Sequence, residues 1–311
     1  MAFDDGCPDG PVLVVGSVAY DSVRTPFGER TEALGGSASY ASVSASFFAP
    51  VRLVAVVGED FAPSHVERLG QRDIDLAGLQ RAPGKTFRWS CYYEYDLSQA
   101  HTTATELNVF ESFRPELPSN HRDTPYIFLS NIDPTLQLSV LDQMRHPKLV
   151  VCDTMNFWIE NAREKLLEVL ARCDVALMND AEARQLCEEP NLIAAGRKLL
   201  NMGPGTVIIK KGEHGAVMMS HDSYFTAPGY PLEEIRDPTG AGDTFAGGLV
   251  GYLARCGKAD EETLRRAVIT GSVMASFTVE DFSLNRLFNL SHEEVAERYR
   301  EIMAMTRFGG L

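Results

Sequence analysis

The run Asp237-Pro238-Thr239-Gly240-Ala241-Gly242-Asp243-Thr244-Phe245 sets three small residues and an acid just ahead of a helical pattern. Glycine lets backbone come close to a ligand, and the first N–H groups of a helix have no intrahelical partner. With the positive end of the helix dipole behind them, Gly240, Ala241 and Gly242 suit an anion. Asp243 falls in the first turn beside that anion. A carboxylate there does little for anion binding but can take a proton from an attacking hydroxyl. The local chemistry is phosphoryl transfer to an alcohol. The structural alternative is a Gly-rich turn that merely starts a helix, with Asp243 favoured by the dipole. A bare Gly-x-Gly is weak for that reason; the nine-residue string is far more specific.

Four further groups could serve such a site. Asp21 follows the apolar run 12–18, and open α/β sheets bind ligands at the carboxyl ends of their strands; a plain turn aspartate is the alternative. Gly35-Gly36-Ser37 precedes a helical pattern and reads locally as a tight turn with Ser37 as cap. Asn179 and Glu182 open another helix with the spacing of a capping box. Lys210-Lys211-Gly212-Glu213-His214-Gly215 lies between two apolar runs, as a hairpin turn with glycines at positive φ would.

The elements that must position these residues are short apolar runs alternating with amphipathic stretches. Val12–Val15, Val51–Val57, Tyr126–Leu129, Leu149–Cys152, Val175–Met178 and Val207–Ile209 read as buried strands. Helical patterns cover Ser37–Phe48, Ser64–Leu69, Leu136–Met144, Ala162–Leu170, Ala181–Leu186 and Leu192–Asn201, and three more close the chain at about 241–255, 262–277 and 292–305. Such alternation implies right-handed crossovers and a mostly parallel sheet. Two stretches break it: Tyr20–Leu34 is polar and turn-rich, and Thr86–Phe110 is aromatic and β-prone, with Phe87, Trp89, Tyr92, Tyr93 and Tyr95.

Composition narrows the class. The chain has 311 residues, 44% of them hydrophobic, enough for one large α/β domain. A net charge of -14 speaks against a nucleic-acid or membrane-surface partner, although a local nest of N–H groups can still hold a phosphate. Six scattered cysteines without a Cys-x-x-Cys pair read as reduced thiols, pointing to the cytoplasm. Residues 1–6 lack a basic and apolar leader, and no apolar run approaches the roughly 18 residues of a membrane span. The seven histidines have no metal-ligand spacing.

The Asp237–Phe245 string resembles the signature of the ribokinase, or PfkB-type, carbohydrate kinases. The resemblance implies a single ribokinase-like α/β domain over residues 1–311, a three-layer sandwich around a mostly parallel sheet. A small β-sheet lid would be formed by about 17–34 and 84–112. It implies an ATP-dependent sugar kinase with Asp243 as catalytic base and Gly240, Ala241 and Gly242 as anion hole. Asp21, Gly35, Gly36 and Ser37 would bind substrate, Ser37 standing where the family often has Asn. Lys211, Gly212, Gly215 and Thr239 would border the nucleotide, with 275–283 on its adenine side. Asn179 and Glu182 would hold Mg2+ through water, which suits an ion that keeps several waters. Asp237, with Thr239, matches the position of a monovalent cation such as K+, although the second loop of such a site departs from the pattern. An exposed edge of the lid would invite a homodimer.

Three competing motifs fail. Gly84-Lys85-Thr86 has Leu79 where a Walker A sequence needs its leading glycine. No Gly-x-Gly-x-x-Gly follows the first strand, and no Gly-x-Ser-x-Gly elbow is present. For the acceptor, a neutral sugar or polyol ranks first, a nucleoside second and a phosphosugar third, since only Arg24 and Arg88 could clamp a second phosphate from the lid. A non-catalytic ligand sensor is the reading from another class; the intact Asp243, Gly240 and Gly242 speak against it.

Overall fold

The computed structural model describes residues 7–307. Residues 1–6, read above as lacking a leader, lie outside the described part. A nine-stranded sheet forms the centre, built from β1 (Val12–Val15), β4 (Val51–Val57), β5 (Ile74–Arg81), β8 (Tyr126–Leu129), β9 (Leu149–Cys152), β10 (Val175–Asn179), β11 (Thr206–Lys210), β12 (Ala216–Ser220) and β13 (Tyr224–Ala227). Its order is β13-β12-β11-β10-β9-β8-β1-β4-β5. The seven strands from β11 to β5 run parallel, and β12 and β13 are antiparallel additions at one edge. A smaller sheet joins β2 (Ala19–Thr25), β3 (Gly28–Gly35), β6 (Phe87–Tyr93) and β7 (Ala100–Glu106) in the order β3-β2-β6-β7. Pairing in it is mixed, since β2 and β6 are parallel.

Alternation along each strand divides the core. Val12 and Val14 face one side of the sheet, where helices Ser37–Ala45, Ala241–Cys256, Glu261–Thr278 and His292–Met305 supply Tyr40, Phe245, Val268 and Ile302. Leu13 and Val15 face the other, against helices Pro134–Gln143, Arg163–Leu170, Asp180–Cys187 and Leu192–Leu200. Fully buried parallel strands read as unbroken apolar runs for this reason. Two strands had no such signal. β5 alternates burial at the sheet edge, and only one of the four residues of β13 is buried.

The strand order reverses between β1 and β8: the chain runs outward through β4 and β5 on one side and through β9, β10 and β11 on the other. The crevice at the carboxyl ends there is where doubly wound sheets bind ligands. Helices 37–45 and 241–256 approach this crevice together. All nine residues of Ser37–Ala45 are buried, and they are mostly Ser and Ala. A Cβ at Gly247 would run into the Ala41 carbonyl, and one at Gly251 would lie 2.8 Å from the Ala45 carbonyl. Ser44 Oγ donates to the Thr244 carbonyl at 2.7 Å. Small residues on both faces allow the two backbones to touch.

Gly247→Val is therefore expected to destabilise the fold by about 1–3 kcal/mol through overpacking, read as a lower urea midpoint. An unchanged midpoint would contradict the close contact.

Candidate active site

Side chains of different strand ends and loops meet at the carboxyl ends of the sheet. Asp21 lies in β2, soon after β1, and Asp153 directly follows β9. Asn179 and Lys210 are the last residues of β10 and β11, and they are register partners. Asp237 and Asp243 come from the segment that leads into helix 241–256.

The start of that helix is set by Gly240, whose φ of 76° and ψ of 0° are left-handed. A side chain there would be strained, and its Cβ would press on the Tyr40 ring at 2.5 Å. Gly240 therefore serves the turn and the packing together. Thr244 N–H closes the first helical bond to the Gly240 carbonyl at 2.8 Å, and Ala241 N–H bends back to Pro238 at 3.2 Å. As first-turn residues, Gly242 and Asp243 have no carbonyl within the helix to receive their N–H groups. Thr278 Oγ1 donates to Thr244 Oγ1 at 2.9 Å and ties this turn to helix 261–278.

Asp243 is half-buried, and loss of water around its carboxyl pushes it up to about 7, with Asp153 adding to the push and Lys210 and its own backbone N–H opposing it. Asp21 is also pushed up to about 7, first by burial, while the Gly36 N–H opposes and Asp237 and Asp243 add. That N–H reaches Asp21 Oδ2 at 3.2 Å. A Cβ at Gly35 would overlap the Asp21 carboxylate, and Gly36 has φ 87°. The glycine pair thus lets the chain fold around Asp21. Ser37 is not the helix cap; Gly36 holds that position without a side-chain bond. The Ser37 hydroxyl lies instead with Ser17 Oγ at 3.1 Å and accepts from Ser130 Oγ at 2.5 Å. It bridges the loops after β1 and β8.

Asn179 and Glu182 form the full capping box: Glu182 N–H donates to Asn179 Oδ1 at 2.8 Å, and Asn179 N–H to Glu182 Oε2 at 2.7 Å. Burial pushes Glu182 up to about 7, Asp153 and Asp243 add, and Lys210 and the Asn179 N–H oppose. Among the described residues no cluster of three or more His, Cys, Asp or Glu forms a direct metal cage. A buried carboxylate with one oxygen in a cap fits water-mediated Mg2+ rather than direct ligation. Asp237 is 1% exposed and accepts Thr239 N–H at 2.9 Å. Burial raises its carboxyl, the Thr239 and Ser283 N–H groups oppose, and Asp281 adds. Such an under-compensated carboxylate fits a monovalent cation. Thr239 Oγ1 donates to the Tyr93 hydroxyl of β6 at 3.2 Å, which brings the small sheet onto this segment.

Gly212 and Gly215 lie in the turn between β11 and β12 with φ of 56° and 81°. Lys211 joins that turn through its N–H to the Gly215 carbonyl at 2.8 Å. The lysine drawn into the acidic cluster is its neighbour Lys210, whose Nζ pairs with Asp153 Oδ2 at 2.5 Å. Burial works to lower that ammonium, but Asp153, Glu182 and Asp243 overcome it and hold it above its ordinary value. Sequence reasoning missed Lys210 and Asp153. Lys210 ends β11 and Asp153 directly follows β9, a placement shared with Asn179 at the end of β10, but only the ion pair sets them apart from ordinary strand-end residues.

The pfkB family carbohydrate kinase profile matches residues 12–286. A cytidine kinase of Thermococcus kodakarensis is 31% identical over 260 residues, covering 82% of this chain and 92% of its own length. An inositol 3-kinase of Arabidopsis thaliana is 23% identical over 299 residues, 88% of this chain and 75% of its own. The crystal structure of the Methanocaldococcus jannaschii nucleoside kinase, an archaeal member of the ribokinase family, shares the fold. It superposes with a TM-score of 0.76 at 22% identity over 95% of this chain and 100% of that one.

Three carboxyls whose folded values lie near 7 bind more protons than the unfolded chain between about pH 4 and 7. Their contribution to stability is therefore present at low pH and falls as pH rises through about 7. Asp243→Asn should melt above the wild type at pH 8, with the gap narrowing as pH falls toward 4. Thermal melts across that range check this; a variant less stable at pH 8 would contradict it.

Proposed function

Because the chain belongs to the pfkB family of carbohydrate kinases, we propose that it transfers the γ-phosphate of ATP to a hydroxyl of a small neutral acceptor, with Asp243 as general base. The observation that carries this reading is a half-buried carboxyl, pushed up to about 7 by loss of water around it, in the first turn of a helix that opens with Gly240-Ala241-Gly242. Near neutrality such a group can accept a proton and still be driven to do so.

The acceptor would lie between Asp21 and Asp243 under the small sheet acting as a lid. Its hydroxyl oxygen attacks the γ-phosphorus in line while the proton passes to Asp243. The N–H groups around Gly242 meet the charge on the transferring group, and exclusion of water by the lid strengthens that interaction. Gly212, Gly215 and Lys211 would border the nucleotide phosphates. Glu182 and Asn179 would orient the water shell of Mg2+, an ion that offsets the charge of the donor phosphates. Asp237 and Thr239 would face a monovalent cation.

A nucleoside now ranks ahead of a free sugar or polyol as acceptor. The likeness to a cytidine kinase supports it, as do the aromatic residues of β6. A phosphosugar is disfavoured, because one of the two lid arginines is already paired with carboxylates. Arg88 is held by Glu32 and Asp60 at 2.8 Å each, and Arg24 stacks on Tyr92 at 5.5 Å. The two carboxylates neutralise Arg88, which leaves Arg24 as the one lid arginine of the pair with charge to offer a second phosphate.

ATP-dependent ADP release across nucleosides, sugars, polyols and sugar phosphates tests this. Turnover should favour a neutral ribose-bearing acceptor and rise with pH through about 7. Asp243→Asn should lose on the order of 10²–10⁴ in kcat. Near-normal turnover by that variant would refute the base. Silence across the panel with ATP still bound would favour a ligand sensor.

A further inference from the structure

Lys210 is a largely buried cation, its side chain 16% exposed, that the mechanism above leaves without a task. Its Nζ sits 2.5 Å from Asp153 Oδ2, and it reaches the helix start. A methyl group added at Gly242 would meet Nζ at 3.2 Å and Cε at 3.8 Å. The ammonium therefore flanks the same turn whose N–H groups suit an anion.

A purely structural ion pair would be the simpler explanation. Buried pairs give little net stability, however, and apolar residues of similar volume often replace them without loss. Asp153 alone does not require a lysine that extends past it to Gly242. An ammonium carries three donors; Asp153 takes one, and Nζ lies beside the Gly242 turn with Glu182 and Asp243 also acting on it.

Resting on the phosphotransfer reading, we infer that Lys210 is a catalytic residue: its ammonium closes one side of the Gly240–Gly242 cradle and contacts an oxygen of the transferring phosphoryl group. Asp153 is its positioning residue. In the step, the bond between the acceptor oxygen and the γ-phosphorus forms. The bond from that phosphorus to the β,γ-bridging oxygen breaks, and its electron pair leaves with ADP. The acceptor proton goes to Asp243, and Lys210 keeps its own protons throughout. The cation neutralises charge that is concentrated on the phosphoryl oxygens, so its effect falls on kcat and on nucleotides that carry a γ-phosphate.

The test compares wild type, Lys210→Met, Lys210→Arg and the pair Asp153→Asn/Lys210→Met. Each is assayed for steady-state turnover and for calorimetric binding of ADP and of the β,γ-imido analogue of ATP. Lys210→Met should lose about 10²–10³ in kcat, the scale of one lost transition-state donor. It should also lose the preference for the imido analogue over ADP while still binding ADP. Lys210→Arg should recover part of kcat. The paired variant leaves position 153 uncharged, so an equal loss there shows that the effect does not come from a stranded Asp153. A folded Lys210→Met or paired variant with near-normal kcat, or with the analogue preference intact, overturns the assignment while leaving the kinase reading standing. A wild type without ATP-dependent turnover would instead overturn the kinase reading, and the role of Lys210 with it.

Discussion

Backbone contact between helices 37–45 and 241–256 fixes where the site can form. Ala41 faces Gly247 and Ala45 faces Gly251, so the contacts advance together and the helices run in the same sense. Their N-termini consequently lie at one end. The first begins at Gly36, whose N–H holds Asp21, and the second begins just before Asp243. One packing contact thus sets the separation of the substrate-side carboxylate and the base. Larger residues at 247 or 251 would push the helices apart and move both groups.

That arrangement concentrates acids at the carboxyl ends of the sheet: Asp21, Asp153, Glu182 and Asp237 are buried and Asp243 is half-buried. Burying carboxylates is costly unless they are paired or hydrogen-bonded. The protein meets the cost in three ways. Lys210 pairs with Asp153, N–H groups of Gly36, Asn179 and Thr239 serve Asp21, Glu182 and Asp237, and protonation is favoured for the groups with least help. The cluster is consequently less stable than an apolar core would be, and more responsive to ligands that bring cations or donors to it. Ligand binding to the folded chain would offset part of that cost.

Much of this was legible in the sequence for identifiable reasons. Strands β1, β4 and β8 to β11 are buried on both faces and stand out as apolar runs; β5 and β13, half-exposed at the sheet edges, do not. The Gly240–Asp243 turn was readable because its steric demands force unusual residue types into one short segment. Lys210 and Asp153 were not, because each is an ordinary residue whose meaning comes from 57 positions of sequence separation collapsing to one ion pair. The same holds for Arg88. Its carboxylate partners come from β3 and from the loop after β4, so only the fold reveals that it is occupied. Ser37 illustrates the opposite error: a favoured capping residue beside a helix start, whose hydroxyl the fold uses to join two loops.

Loss of water around the carboxyl at this helix start holds Asp243 poised near neutrality. Carbon-13 NMR of aspartate-labelled protein, titrated from pH 4 to 9 with Asp243→Asn to assign the resonance, measures it directly. A carboxyl resonance that shifts with a midpoint near 7 and disappears in the variant is expected. An Asp243 resonance that titrates at the ordinary carboxylate value near 4 would contradict it.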